Sequence, residues 1–334
     1  MGTRPIGSTL SSAYTVERTL ILDGLRHWAI VFMRARSVIT FLAALFLPSE
    51  HATASPLVDI SAEDLQTLRT QAAQGNADAQ YNLGVVYAEG RGVTQDYAKA
   101  RQLLEQAAAQ GNASAQNDLG LLYQNGWGVP QDYAMARQWY EKAAAQGYAL
   151  AQFNLGVLYE EGHGVLQDYA KARKWFEKAA AQGYANAQQN LGVMYAKGDG
   201  VSQDFAKARQ WYEKAAVQGN AEAQYNLGVM FEEGHGVQQD YGKARQWYEK
   251  AAAQGDATAH FNLGGLYYNG NGVPQDYVRA YMWWSLAAAH STGEMQKSAA
   301  NNREAVALSM TPDQIAKAQT MARDCQQRSF KGCN

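Results

Sequence analysis

The chain has 334 residues, with 29 Lys and Arg against 31 Asp and Glu, a formal net charge of −2. Residues 1–54 hold five basic and three acidic side chains; without them 24 basic and 28 acidic remain, a net charge of −4. That balance gives no electrostatic reason to expect nucleic acid or an anionic membrane as partner.

Residues 1–54 read as an export segment. Arg34 and Arg36 follow Met33, then Val38 to Leu47 forms a run of ten residues with nine apolar side chains and one Thr. Ala52-Thr53-Ala54 after Pro48 fits the small-x-small rule for signal peptidase. The expectation is a start at Met33, cleavage after Ala54 and a periplasmic or secreted product. The apolar run is short for a bilayer span and no Cys follows it, so no stable membrane anchor is expected after cleavage. Residues 55–76 then predict an N-terminal capping helix, Asp59 to Gln74, with Ser61 at its N-cap.

From Ala77 to Thr292 the sequence repeats every 36 residues, six times, without insertion or deletion. Asn-Leu-Gly begins at Asn82, Asn154, Asn190, Asn226 and Asn262, with Asp118 filling the one gap. A fixed period of this length marks an array whose units pack on their neighbours. The first unit divides into two helices. Ala79, Leu83, Val86 and Tyr87 stripe the first, between Ala77 and Glu89, and Gly90 supplies a left-handed stop. Asp96 caps the second, whose stripe is Ala100, Leu103, Leu104 and Ala107; Gly111 ends it. Gly84 and its five copies sit mid-helix at a cost of about 1 kcal/mol each, which implies a close approach by a large side chain. The expected large partners are Tyr87, Tyr123, Tyr159, Tyr195, Phe231 and Tyr267 on first helices, and Trp139, Trp175, Trp211, Trp247 and Trp283 on second helices.

Residues 293–334 lose the period. Gly293 to Leu308 predicts one more helix. Thr311-Pro312-Asp313-Gln314 combines capping-box spacing with Pro at the first helical position, so a final helix from Pro312 to about Arg328 should shield the last unit. Cys325 and Cys333, the only cysteines, are expected to close a disulfide staple on this terminus after export.

The pattern A-x-A-Q-x-N-L-G-x-x-Y-x-x-G-x-G-V-x-Q-D-Y-x-K-A, read from Ala77 to Ala100 and again in each later unit, resembles the Sel1-like repeat, a relative of the tetratricopeptide repeat. The resemblance implies an all-α, right-handed solenoid of six helix pairs between helical caps. It also implies that first helices line the concave side and second helices the convex side.

Candidate chemistry is sparse. His163 and His235, two units apart, share one loop position with Arg91, Trp127, Asp199 and Asn271, so no metal site is expected. The glycine-rich loops lack the strand–loop–helix context of a phosphate cradle, and no cofactor is expected. Some cysteine-rich relatives are described as β-lactam-binding or β-lactam-hydrolysing, which makes a β-lactam or peptidoglycan hydrolase the alternative function. The chain has no S-x-x-K, S-D-N, K-T-G or G-x-S-x-G, so no catalytic residue is assigned. The mid-helix Asn at 82 and its copies is expected to make a structural hydrogen bond inside each hairpin. The pairs Glu160-Glu161 and Glu232-Glu233 read as solvated.

Counting Ala77 as position 1, the fold leaves positions 2, 5, 12 and 13 free to vary, and positions 2, 5, 9 and 12 share one helical face. Position 5 holds Tyr81, Asn117, Phe153, Gln189, Tyr225 and Phe261; position 12 includes Glu160, Glu232 and Tyr268. Position 13 adds Glu89, Asn125, Glu161, Lys197, Glu233 and Asn269. Four aromatics flanked by carboxylates and amides suit a peptide or protein partner with apolar anchors and some basic character. The sequence thus predicts an exported interaction scaffold, with a non-binding structural spacer as the remaining reading.

Overall fold

A computed structural model describes residues 60–333, which contain fifteen α-helices and no strand. The predicted export segment lies outside the described residues. Helix α1 (Ala62–Ala73) precedes six pairs: α2 (Ala77–Glu89) with α3 (Tyr97–Ala109), α4 (Ala113–Asn125) with α5 (Tyr133–Ala145), and α6 (Ala149–Glu161) with α7 (Tyr169–Ala181). The series continues with α8 (Ala185–Lys197) and α9 (Phe205–Val217), α10 (Ala221–Glu233) and α11 (Tyr241–Ala252), and α12 (Ala257–Asn269) and α13 (Tyr277–Ala289). Helices α14 (Gly293–Ala307) and α15 (Pro312–Gln327) close the array, both packed on α13.

Local chemistry sets most of the boundaries. Gly90 ends α2 at φ 72°, and Gly126, Gly162, Gly198, Gly234 and Gly270 end the equivalent helices in the same left-handed conformation. Asp96 caps α3 by accepting from the Lys99 amide, and each later second helix starts on the corresponding Asp. At the C-terminal cap, Thr311 and Gln314 form the reciprocal capping box with Pro312 at its expected place.

The close approach at the mid-helix glycines is real, but its partner lies one residue beyond the tryptophans. A methyl at Gly120 would sit 2.4 Å from Tyr140, at Gly156 2.4 Å from Phe176, at Gly192 2.4 Å from Tyr212 and at Gly228 2.4 Å from Tyr248. In the first five units position 28, not position 27, therefore fills the core; in the sixth both Trp283 and Trp284 are buried. Trp139, Trp175, Trp211 and Trp247 are only partly buried, each roofed by a lysine one turn later, such as Lys142 Nζ at 3.8 Å from the Trp139 ring centre. Tyr87 is likewise partly buried under Lys99.

A ladder of glutamines joins the units. Gln116 Nε2 donates to the Ala108 carbonyl of the preceding unit, while its oxygen accepts from Gln146 of its own unit at 2.8 Å. Gln80, Gln152, Gln188 and Gln224 make the same two bonds. Such a side chain is buried yet satisfied, so it fixes register without a desolvation penalty. In the sixth unit His260 and His290 occupy these two positions. His260 keeps the bond to the Ala252 carbonyl at 3.1 Å but stacks on Trp283 and meets the Phe330 ring, which also packs edge-on against His290. Burial holds the His260 imidazole down to about 4.

Phe330 is placed by the terminal staple. Cys325 and Cys333 are disulfide-bonded and buried, and the enclosed turn carries Ser329 and Phe330 at φ 50° and 64°, unfavourable for residues with side chains. Closing so short a loop is worth about 2–3 kcal/mol by chain entropy. Cys333→Ser, followed by amide hydrogen exchange, should accelerate exchange in α15 by up to about a hundredfold and leave α4 to α9 unchanged. Equal protection of α15 in both proteins would show that the turn holds itself.

Candidate partner-binding face

Positions 5 and 12 are two turns apart on the same face of each first helix, with a position-28 ring beneath them from the second unit on. In the third unit Phe153 lies 5.7 Å from Phe176 and 5.2 Å from Tyr184 between ring centres. In the fifth, Tyr225 lies 5.7 Å from Tyr248. Phe261 packs on the sixth-unit core, and Tyr268 lies 5.5 Å from Trp284. These four aromatics are partly exposed.

Two predicted contact residues do not belong to this surface. Asn117 is fully buried and Gln189 is 7% exposed. A short amide at position 5 sinks into the junction between units, where an aromatic ring reaches out across it. Asn117 is held there by polar bonds: its Nδ2 donates to Asp118 Oδ1 at 3.1 Å, and its Oδ1 accepts from Asn154 Nδ2 at 3.0 Å. Tyr81 is partly buried and also hydrogen-bonds Asp118, so it acts at the junction of the first two units. Asn154 therefore bonds across units, not within its own hairpin. Asn262 Nδ2 does so too, donating to the Tyr248 hydroxyl at 3.0 Å, whereas Asn82, in the first unit, is exposed.

Nor are the acidic residues of position 12 solvated. Glu232 accepts from the Tyr248 hydroxyl, and burial pushes its carboxyl up to about 7 despite that bond. Glu160 is also pushed up to about 7, mainly by burial and further by Glu161, with Lys197 opposing. Asp118 reaches about 7 mainly through burial, with a smaller push from the charge of Glu89, while its bonds to Asn117 and Tyr81 pull the other way. This face thus carries three desolvated carboxylates of positions 6 and 12.

The loop position that looked indifferent follows a charge rule. Position 15 stacks on the position-21 ring of the preceding unit: His163 on Tyr133 and His235 on Phe205, each at 4.7 Å, and Trp127 on Tyr97 at 5.7 Å. Position 13 complements it. Glu89 pairs with Arg91, Glu161 with His163 at 2.9 Å and Glu233 with His235 at 3.1 Å, while Lys197 accompanies Asp199. Most position-13 residues serve the loops instead of the groove. That alternation was readable in the sequence by comparing the two positions unit by unit.

Among the described residues no three His, Cys, Asp or Glu side chains are grouped as metal ligands, and no helix is long and apolar enough to cross a membrane.

The Sel1 repeat family profile matches residues 77–112, 113–148, 149–184, 185–220, 221–256 and 257–291, nearly two thirds of the sequence. Among solved structures, the chain is similar to a protective antigen present in uropathogenic Escherichia coli strains, at 36% identity and a TM-score of 0.74. That match covers 81% of this chain and 57% of the antigen, so the chain spans little more than half of that protein. A Sel1 repeat protein from Oxalobacter formigenes is 34% identical with a TM-score of 0.63, covering 70% of this chain and 92% of that one. No curated protein matches the sequence. Proteins of this repeat class generally mediate protein–protein contacts, and their scaffold is typically non-enzymatic. Six contiguous matches to one repeat, with the helix pairs that the repeat requires, make this chain a member of the Sel1 repeat family.

Proposed function

We propose that the chain is an exported interaction scaffold that binds a peptide or protein segment along its first helices, without covalent chemistry. The observation supporting this is the state of Phe153, Tyr225, Phe261 and Tyr268. All four are partly exposed on one face, and at position 5 the same chain folds equally well around Asn117 and Gln189. Large aromatics kept in reach of solvent where the fold accepts an amide suit anchor pockets for a partner. Similarity to a protective antigen is in keeping with an exported location.

Capture from envelope extracts with the full chain, compared with Phe153→Ala/Tyr225→Ala/Phe261→Ala, tests the reading. The partner recovered by the native protein should be lost from the triple variant while its helical circular dichroism persists. Tyr81 is left intact because its hydroxyl holds Asp118. Equal recovery by both proteins removes the groove, and no recovered partner favours a spacer.

A further inference from the structure

We infer that Glu160 docks one lysine or arginine side chain of the bound segment, an inference that rests on the groove reading above. The argument comes from comparing positions 12 and 28 through the array. In the second unit Gln124 faces Tyr140 and accepts its hydroxyl at 2.8 Å; in the fifth, Glu232 does the same with Tyr248. Ala88 and Ala196 need no donor opposite Leu104 and Tyr212, and in the sixth unit Tyr268 packs on Trp284. The third unit breaks this matching. Glu160 is acidic like Glu232, but position 28 is Phe176, whose fully buried ring has no hydroxyl to give.

A partly buried carboxylate left without that donor holds its proton more tightly than one in bulk water. The remedy is a charge-assisted hydrogen bond from outside the fold. The surroundings favour a cation. Glu161 and Asp199 act on Glu160 with negative charge and Lys197 with positive charge, while Glu161 is itself engaged by His163 Nδ1. Two turns earlier on the same face, Phe153 and Tyr184 form an aromatic wall against which an alkyl stem or a guanidinium plane can lie. Phe176 is the specificity-determining residue, because a tyrosine there would satisfy Glu160 internally.

A random dodecapeptide display library selected against the immobilised full chain supplies the probe. Selected peptides should be enriched in Lys or Arg beside apolar residues. Fluorescence anisotropy should show binding weakened about tenfold or more by Glu160→Gln, by Phe176→Tyr and by replacing the peptide's basic residue with norleucine. The Glu160→Gln and norleucine losses should not add, since they remove one contact. Peptides that lack basic residues, or that bind Glu160→Gln as well as the native chain, overturn the anchor. If those peptides are still weakened by Phe153→Ala and Tyr225→Ala, the groove stands and only the anchor falls. Insensitivity to all these changes, or a selection yielding no binder, overturns both.

Discussion

Gly156→Ala should destabilise the array by about 2 kcal/mol or more, whereas Gly84→Ala should change stability by less than about 1 kcal/mol. Both substitutions add a methyl to the middle of a first helix, and both gain about 1 kcal/mol of helix propensity. They differ in what the methyl meets. At Gly156 it would lie 2.4 Å from Cε1 and 2.5 Å from Cδ1 of Phe176, a buried planar ring that cannot yield without moving α7. At Gly84 the nearest atoms belong to Leu104, at 3.1 Å, and an aliphatic side chain can change rotamer. Urea unfolding followed by circular dichroism reads the midpoints. Gly156→Ala with Phe176→Leu sets the new methyl against a leucine, as Gly84→Ala does in the first unit, and should recover most of the loss. A Gly156→Ala midpoint at or above the native one would show that the paired helices move apart easily, and the core described above would be wrong.

Asp118→Asn should stabilise the protein at pH 8 and do almost nothing at pH 4. Asp118 is 8% exposed and accepts from the neutral Asn117 and Tyr81, and its carboxyl is pushed from 3.8 up to about 7 by burial and, less, by the charge of Glu89. The folded chain therefore binds this proton more tightly than the unfolded one. Below about pH 4 the carboxyl is protonated in both states and costs nothing. As pH rises from about 4 through 7 the folded state must give up a favoured proton, so stability falls across that window. Fully developed by pH 8, the penalty is roughly 2–4 kcal/mol. The asparagine oxygen can still accept from Asn117 or Tyr81, and the change restores the Asn-Leu-Gly found in the other five units. Glu160 and Glu232, raised in the same direction, leave some of the pH slope in the variant. Parallel curves for native and Asp118→Asn protein between pH 4 and 8 would show that water reaches the carboxylate.

Helices, stops and caps were legible in the sequence because each is decided within a few residues and then stated six times. Gly90 and Asp96 need no tertiary knowledge. The glycine partner was misplaced by one residue because Trp139 and Tyr140 are adjacent aromatics, and apolar spacing alone does not say which of two neighbours points inward. Only the crossing of α4 and α5 settles it. Depth at position 5 was hidden for a different reason. The same backbone site is surface for Phe153 and interior for Asn117, since side-chain length decides on which side of the junction the polar or aromatic end comes to rest. The glutamine ladder does leave a trace in the sequence. Positions 4 and 34 are Gln through five units and switch together to His260 and His290 in the sixth, which is the mark of two side chains that touch.

Because each rung of that ladder reaches only one neighbour, a 36-residue module carries both halves of its own adhesive. A gene duplicating residues 149–184 in frame would hand the new copy the Ala180 carbonyl that Gln152 wants on one side and present the same carbonyl on the other. The molecule can thus lengthen or shorten by whole quanta without redesign. The histidine pair, already occupied by the ring of the closing turn, is the punctuation that says where growth ends.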